Sequence, residues 1–401
     1  MKNKIIIIIC GIIVLVGLIV LLLLYTNKGS GNNTSSNSTN SSNTSNTIEV
    51  KENNVDWDSE EEKEVSDSKN GVNITESGTY TLTGEINGQV VINTSGNVKL
   101  ILDNVTIKSS NGPCILVQEA DNVLIYLEEG STNVLEDSAS YTGFEEETAT
   151  IFSHDDLTID GEGTLKVTAN YEDAIVSKDD LTINNGTYII TSKDDGIRGK
   201  DSVYIKNGSF TINASGDGIK SSNDTETDKG YILIENGNFK ITAGSDGIQA
   251  ITKLVINGGT FDINSEEGLE ATYVVINDGT IKISASDDGI NASKKSTFMT
   301  PTIEINGGNI TVNMGQGDTD ALDANGNIYI NGGTINITGQ SAFDYDNEGK
   351  INGGEVTVNG QKITTMTNQM MGSPGGGGQM GGQMPGGQQG GQMPGGHGGR
   401  R

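Results

Sequence analysis

The residues that could do chemistry recur at a nearly fixed step. A phrase close to Asp-Gly-Ile-x repeats with its apolar residue at Ile175, Ile197, Ile219, Ile248, Leu269, Ile290, Leu322 and Phe343, at steps of 22, 22, 29, 21, 21, 32 and 21 residues. The residue after it reads Val176, Arg198, Lys220, Gln249, Glu270, Asn291, Asp323 and Asp344. The residue that opens the phrase reads Asp173, Asp195, Asp217, Asp246, Glu267, Asp288 and Asp320. If successive copies lie side by side, two cations adjoin a run of oxygen-bearing side chains, with a carboxylate row beside both. Carboxylates at strand spacing, about 4.8 Å, repel unless neutralised. Calcium takes six to eight oxygens from carboxylates and amide carbonyls in irregular geometry, whereas zinc would want His or Cys, which the row lacks. The candidate calcium ligands are Glu270, Asp288, Asn291, Asp320, Asp323 and Asp344. A second reading has the row-opening acids, Asp195, Asp217 and Asp246 among them, capping local turn amides.

A second phrase, near Ile-Asn-Gly-Gly-x-Ile-x-Ile, alternates with the first: "INNGTYII", "IKNGSFTI", "INGGTFDI", "INDGTIKI", "INGGNITV", "INGGTINI" and "INGGEVTV". Short alternating strands and glycine turns at a period near 21 are the signature of a solenoid, in which each repeat buries its apolar face against the next. The expected fold is all-β, a right-handed parallel β-helix of roughly ten coils, the hand following the usual crossover chirality. The isoleucine row points inward, and Ile115 and Ile151 extend it backwards. The flanking residues point outward, the preceding Gly or Ala (Ala174, Gly196, Gly218, Gly247, Gly268, Gly289, Ala321, Ala342) leaving floor space for a ligand. Asn257, Asn277, Asn306, Asn331 and Asn352 form a further row, expected to bond coil to coil. Insertions at 223–229, 293–301 and 314–318 rim the polar row and would wall a groove.

The chain has 401 residues, 56 of them glycine, a formal net charge of −28 and 5% aromatics. Its acidity excludes nucleic acid as a partner, because phosphate contacts need Lys and Arg. It suits cations, or anionic partners bridged by cations. The two cysteines, Cys10 and Cys114, form no disulfide framework, and Cys114 reads as a small buried core thiol.

Residues 1–28 hold the uncharged run Ile5–Leu24 behind Lys2 and Lys4. This is an N-terminal membrane anchor or a cleaved signal peptide, so the rest is expected at the outer cell surface or secreted. Residues 29–47 are a Ser/Asn/Thr linker. Residues 48–71 are an acidic lead and N-terminal cap carrying Trp57. Residues 72–365 are the β-helix, and 366–401 a Gly/Gln/Met/Pro tail expected to be disordered.

The exported leader, acidic lead, "DDGI" and "INGG" coils and Gly-Gln-Met-Pro tail together resemble the bacterial carbohydrate-binding β-helix proteins that bind polygalacturonate. The resemblance covers most of the chain from about Val50. It implies a right-handed parallel β-helix with bound calcium, pectate-lyase-like in fold but a binding module. The expected function is a monomeric cell-surface binder of acidic polysaccharide, with calcium bridging protein and uronate carboxylates and Arg198, Lys220 and Gln249 contacting the polymer. Tyr204, Tyr231, Tyr273 and Tyr329 fall at different strand positions and make no stripe for neutral sugars. One alternative is a calcium-dependent polysaccharide lyase, with Lys220 or Arg198 as the base for the C5 proton. The other is a non-catalytic adhesin or stalk.

Overall fold

The computed structural model describes residues 62–317 and 319–368, with Ile48, Val55 and Trp57 before them. The expected anchor or signal peptide, the linker and all but the first residues of the tail lie outside the described residues. Among those described, no helix is long and apolar enough to cross a membrane. The account below concerns the described residues of the unit Val50–Arg401.

Among the described residues every regular element is a strand. Strands of 3 to 10 residues alternate buried Ile, Val or Leu with exposed polar residues, so each carries one apolar face. That face is covered only when the chain returns and lays an equivalent strand alongside. The result is two sheets, one of 25 strands and one of 12, in which a strand pairs with its counterpart from the neighbouring repeat. The pairings are parallel except at the C-terminal end, where Gln361–Ile363 folds back antiparallel on Glu355–Val358. This is the stacking expected of a solenoid-like fold.

Stacking begins before Val72. Glu62–Ser68, within the stretch assigned to the lead and cap, already pairs in parallel with Gly78–Asn87. At the other end Met366, assigned to the tail, packs against the core, and Asn368 Nδ2 donates to Tyr345 O at 2.7 Å.

The core is a set of ladders in register. Tyr188, Phe210, Phe239 and Phe261 stack face to face with centroids 4.8, 4.7 and 4.5 Å apart. Cys114 is buried in the core, and burial pushes its thiol up to about 12. The Asn-Gly-Gly turns repeat because their last glycine needs positive φ, +106° at Gly259 and +89° at Gly308. The asparagines bond as a chain: Asn277 Nδ2 donates to Asn257 Oδ1 at 2.7 Å, Asn306 to Asn277 at 2.9 Å and Asn331 to Asn306 at 2.9 Å.

Candidate functional site

The 12-stranded sheet carries the Asp-Gly-Ile-x phrase. Ile115, Ile151, Ile175, Ile197, Ile219, Ile248, Leu269, Ile290, Leu322 and Phe343 pair successively in one register. All are buried in the core. The next position forms the parallel row Val176, Arg198, Lys220, Gln249, Glu270, Asn291, Asp323 and Asp344. The expected order of cations and oxygen donors therefore stands on one face of one sheet.

The small residues before the isoleucines do not leave floor space outside. A Cβ on Gly218 would lie 2.5 Å from Ile241 Cγ2 and 2.5 Å from Gly247 O, and one on Gly268 would lie 2.5 Å from Ile283 Cγ2. Ala174, Ala321 and Ala342 belong to the core cluster. The chain bends at the start of this strand, so the position faces the inward isoleucines of another ladder. It is small because the core has no room there.

Four of the row-opening acids, Asp173, Asp195, Asp217 and Asp288, do two jobs. One oxygen serves the backbone: Asp173 Oδ1 accepts the Asp195 N–H at 2.9 Å, Asp195 that of Asp217 at 2.9 Å and Asp217 that of Asp246 at 2.9 Å. Asp288 does the same for Asp320 at 3.1 Å. The capped amide belongs to the next repeat, not to a local turn. The other oxygen is left to meet whatever stands on the outward row.

In the first half of the ladder that is a cation from the row itself. Arg198 lies 2.8 Å from Asp173 and 4.0 Å from Asp195. Lys220 lies between Asp195 at 3.3 Å and Asp217 at 2.7 Å. Each charge is shared between two buried acids. Burial lowers the Lys220 pKa, but Asp195 and Asp217 outweigh it, and the net shift is upward. Two of the three residues expected to contact substrate are therefore engaged in neutralising the wall. Gln249, the third, donates its amide to Asp246, and to Glu270 at 3.1 Å.

In the second half the row supplies no cation. Asp246, Glu267 and Glu270 bring one carboxylate oxygen each within 4.8 Å of one another. Burial, then the charges of Asp217 and Glu270, raise Asp246 well above the carboxylate range. Burial and Glu270 push Glu267 up to about 7. Asn291 donates Nδ2 to Glu267 Oε2 at 3.0 Å, and its Oδ1 is buried with no hydrogen-bond partner. The basic side chain that arrives is Lys295, from the 293–301 insertion, 2.6 Å from Glu270. Ser293 from that loop donates to Glu270 at 2.8 Å.

Of the expected ligands, Glu270 and Asn291 thus stand together. Asp246 and Glu267 join them, although only their place in the opening row signalled it. The described residues hold two groups of three converging carboxylates, the other being Asp173, Asp194 and Asp195. Asp288, Asp320, Asp323 and Asp344 belong to neither: Asp288 stands on the coil of Asn291, and the other three on the coils that follow. Asp323 pairs with Asn291 and Asp344 in the row, and burial with the charges of Asp288, Asp344 and Asp320 pushes it up to about 7. Burial pushes Asp288 up to about 6. Ser341 donates to Asp320.

The residues present suit a hard cation. Three carboxylates and a buried amide oxygen are a calcium-type donor set, and a buried acceptor left without a donor is what an ion coordinated there would satisfy.

The polar row is closed at its early end. There the same outward position carries Leu116, Phe152 and Val176, buried in a second apolar cluster under Phe144. Phe144 belongs to the acidic insertion at 141–147, whose Tyr141 stacks on Tyr171 at 4.2 Å. Thr148 bonds both Asp173, at 2.9 Å, and Arg198, at 3.2 Å. The 223–229 insertion is tied down instead, Asn223 and Lys229 each 2.7 Å from Asp201.

A sequence profile of the family described as "Carbohydrate-binding domain-containing protein" matches residues 66–321, well over half of the chain. A relative of the same description from Acetivibrio thermocellus is 36% identical over 149 residues, covering 35% of this chain and 49% of the relative. The chain therefore spans about half the length of that relative. A solved structure described as a polysaccharide lyase-like protein from C. thermocellum, in a gadolinium derivative, aligns with a TM-score of 0.50 and 32% identity. The alignment covers 59% of this chain and 93% of that one.

Proposed function

The chain belongs to the carbohydrate-binding domain-containing family, and from that premise we propose that it binds acidic polysaccharide of the polygalacturonate type through calcium held on the polar row. The observation that carries this reading is the asymmetry of the carboxylate ladder. Arg198 and Lys220 neutralise its first half, while the second half leaves Asp246, Glu267 and Glu270 crowded beside an unpartnered Asn291 oxygen. Calcium there would be held by those four residues. Asp288, Asp320, Asp323 and Asp344 would hold a second ion further along. When bound, the ion supplies positive charge and open coordination positions for uronate carboxylates. The protein's own residues fix where it sits: the stacked backbone sets the ligand spacing, and capping of the Asp320 amide holds Asp288 in place.

The lyase reading is weaker on one point of geometry. A base must give up its proton, and the Lys220 ammonium is held between two carboxylates that raise its pKa. We also take the stack as a right-handed parallel β-helix, one coil per strand of the 12-stranded sheet, exported as a monomer and displayed at the cell surface or secreted. Calorimetry of oligogalacturonate binding, with calcium and with chelator, tests the function. Binding that ignores chelation, or no binding in calcium, overturns it.

A further inference from the structure

Lys295 reaches the acidic cluster from outside the ladder. It lies between the strands Ile290–Ala292 and Thr302–Ile305, in an insertion, and its Nζ sits 2.6 Å from Glu270 Oε2. The loop is pinned on both sides of it. Ser293 N donates to Ala271 O at 3.2 Å and Ser293 Oγ to Glu270 Oε1 at 2.8 Å. Ser296 N donates to Thr272 Oγ1 at 2.8 Å. The Lys295 side chain itself retains 25% of its exposure. It can therefore swing into solvent about its own torsions while the loop stays in place. Arg198 and Lys220 differ: they rise from the sheet and each is shared between two acids.

An ammonium and a calcium ion compete for the same carboxylate, because two cations cannot both close on Glu270 without strong mutual repulsion. We propose that Lys295 is a tethered counter-ion that calcium displaces from Glu270, and that the released ammonium then binds a carboxylate of the uronate polymer. This rests on the calcium reading above. It makes Lys295 a specificity residue of that site, one that covers the acids while the ion is absent and turns to the glycan once the ion is bound. A neutral sugar would gain nothing from the released charge.

The test uses the full chain with Lys295→Met, and with Lys294→Met as a control of equal charge at an exposed neighbour. Each protein is titrated with calcium chloride alone, then with oligogalacturonate at saturating calcium. Lys295→Met is expected to take calcium about fivefold more tightly than wild type and control, since one partly buried ion pair no longer competes. Its oligogalacturonate affinity is expected to fall about fivefold. Calcium affinity equal to the control overturns the competition, and glycan affinity equal to the control overturns the role after release. A wild-type chain that takes up no calcium overturns the underlying site reading as well. Calcium uptake by wild type with no effect of Lys295→Met sinks this proposal alone.

Discussion

Asn291 donates its side-chain N–H to the Glu267 carboxylate at 3.0 Å, and that bond decides which end of the amide is left over. A carboxylate accepts, so the nitrogen must face it, and the carbonyl Oδ1 is the atom buried without a donor. If Oδ1 is a calcium ligand, Asn291→Ala should weaken calcium binding by about tenfold, and the loss should be read directly by calorimetry. The chelated protein should lose little stability, because the substitution also removes an unsatisfied buried oxygen. Unchanged calcium affinity would mean the ion sits elsewhere.

The crowded acids give a pH signature. The unfolded chain releases carboxyl protons near pH 4, whereas Asp246 holds its proton to about 8, Glu267 and Asp323 theirs to about 7, and Asp288 and Asp195 theirs to about 6. Between those limits the folded state carries more protons, so stability of the chelated protein should fall as pH rises through this window and level off above it. Calcium needs these groups, Asp195 apart, ionised, so its affinity should rise over the same range and cancel the fall. Thermal unfolding across the window, with chelator and with calcium, checks both slopes. A flat profile in chelator would contradict the crowding.

How far the sequence went depended on the period. In-register stacking makes every recurring residue a ladder, so the isoleucine row, the polar row and the asparagine chain were legible from spacing alone. What escaped was the direction of the glycine before the isoleucine. Strict alternation sends Gly218 outward, but the backbone bends at the strand start and turns it onto Ile241. The role of Arg198 and Lys220 escaped for a related reason. Their place in the row was visible, but the Asp oxygens left over after amide capping were not. Phe144, Tyr141 and Lys295 lie in insertions, which have no period to read.

The corrected glycine predicts a packing cost. Gly218→Ala would place a methyl 2.5 Å from both Ile241 Cγ2 and the Gly247 carbonyl, which the neighbouring coils hold in place. Denaturant unfolding should show a loss of about 2 kcal/mol, as for an overpacked core. A neutral result would mean the coils can part locally.

Lys220 separates binding from lyase chemistry. Lys220→Met leaves Asp195 and Asp217 buried without their shared cation, and partial protonation offsets only some of the cost. Stability should drop by about 2 kcal/mol, with calcium affinity nearly unchanged. Neither protein should generate the ultraviolet absorbance of unsaturated uronate from polygalacturonate. Product formation by wild type, abolished by Lys220→Met, would make the chain a lyase.

The second half of the row predicts two separable ion positions. Glu267 converges with Asp246 and Glu270, whereas Asp323 stands two coils on from Glu270, with Asp288, Asp320 and Asp344 around it. The acids from Asp246 to Asp344 span four coils, roughly 20 Å at strand spacing, too far for one ion to bridge. Glu267→Gln keeps the volume and removes the charge at the first position. Asp323→Ala removes the central acid of the second. Each should lower the calcium stoichiometry by one and leave the other ion bound, and chelated Asp323→Ala should be at least as stable as wild type because like charges are relieved. Asn277→Ala, in the amide chain, should instead lower stability and spare both ions in the folded protein. A single ion lost in both carboxylate variants would merge the two positions, and calcium binding indifferent to Glu267→Gln and Asp323→Ala alike would move it off this face.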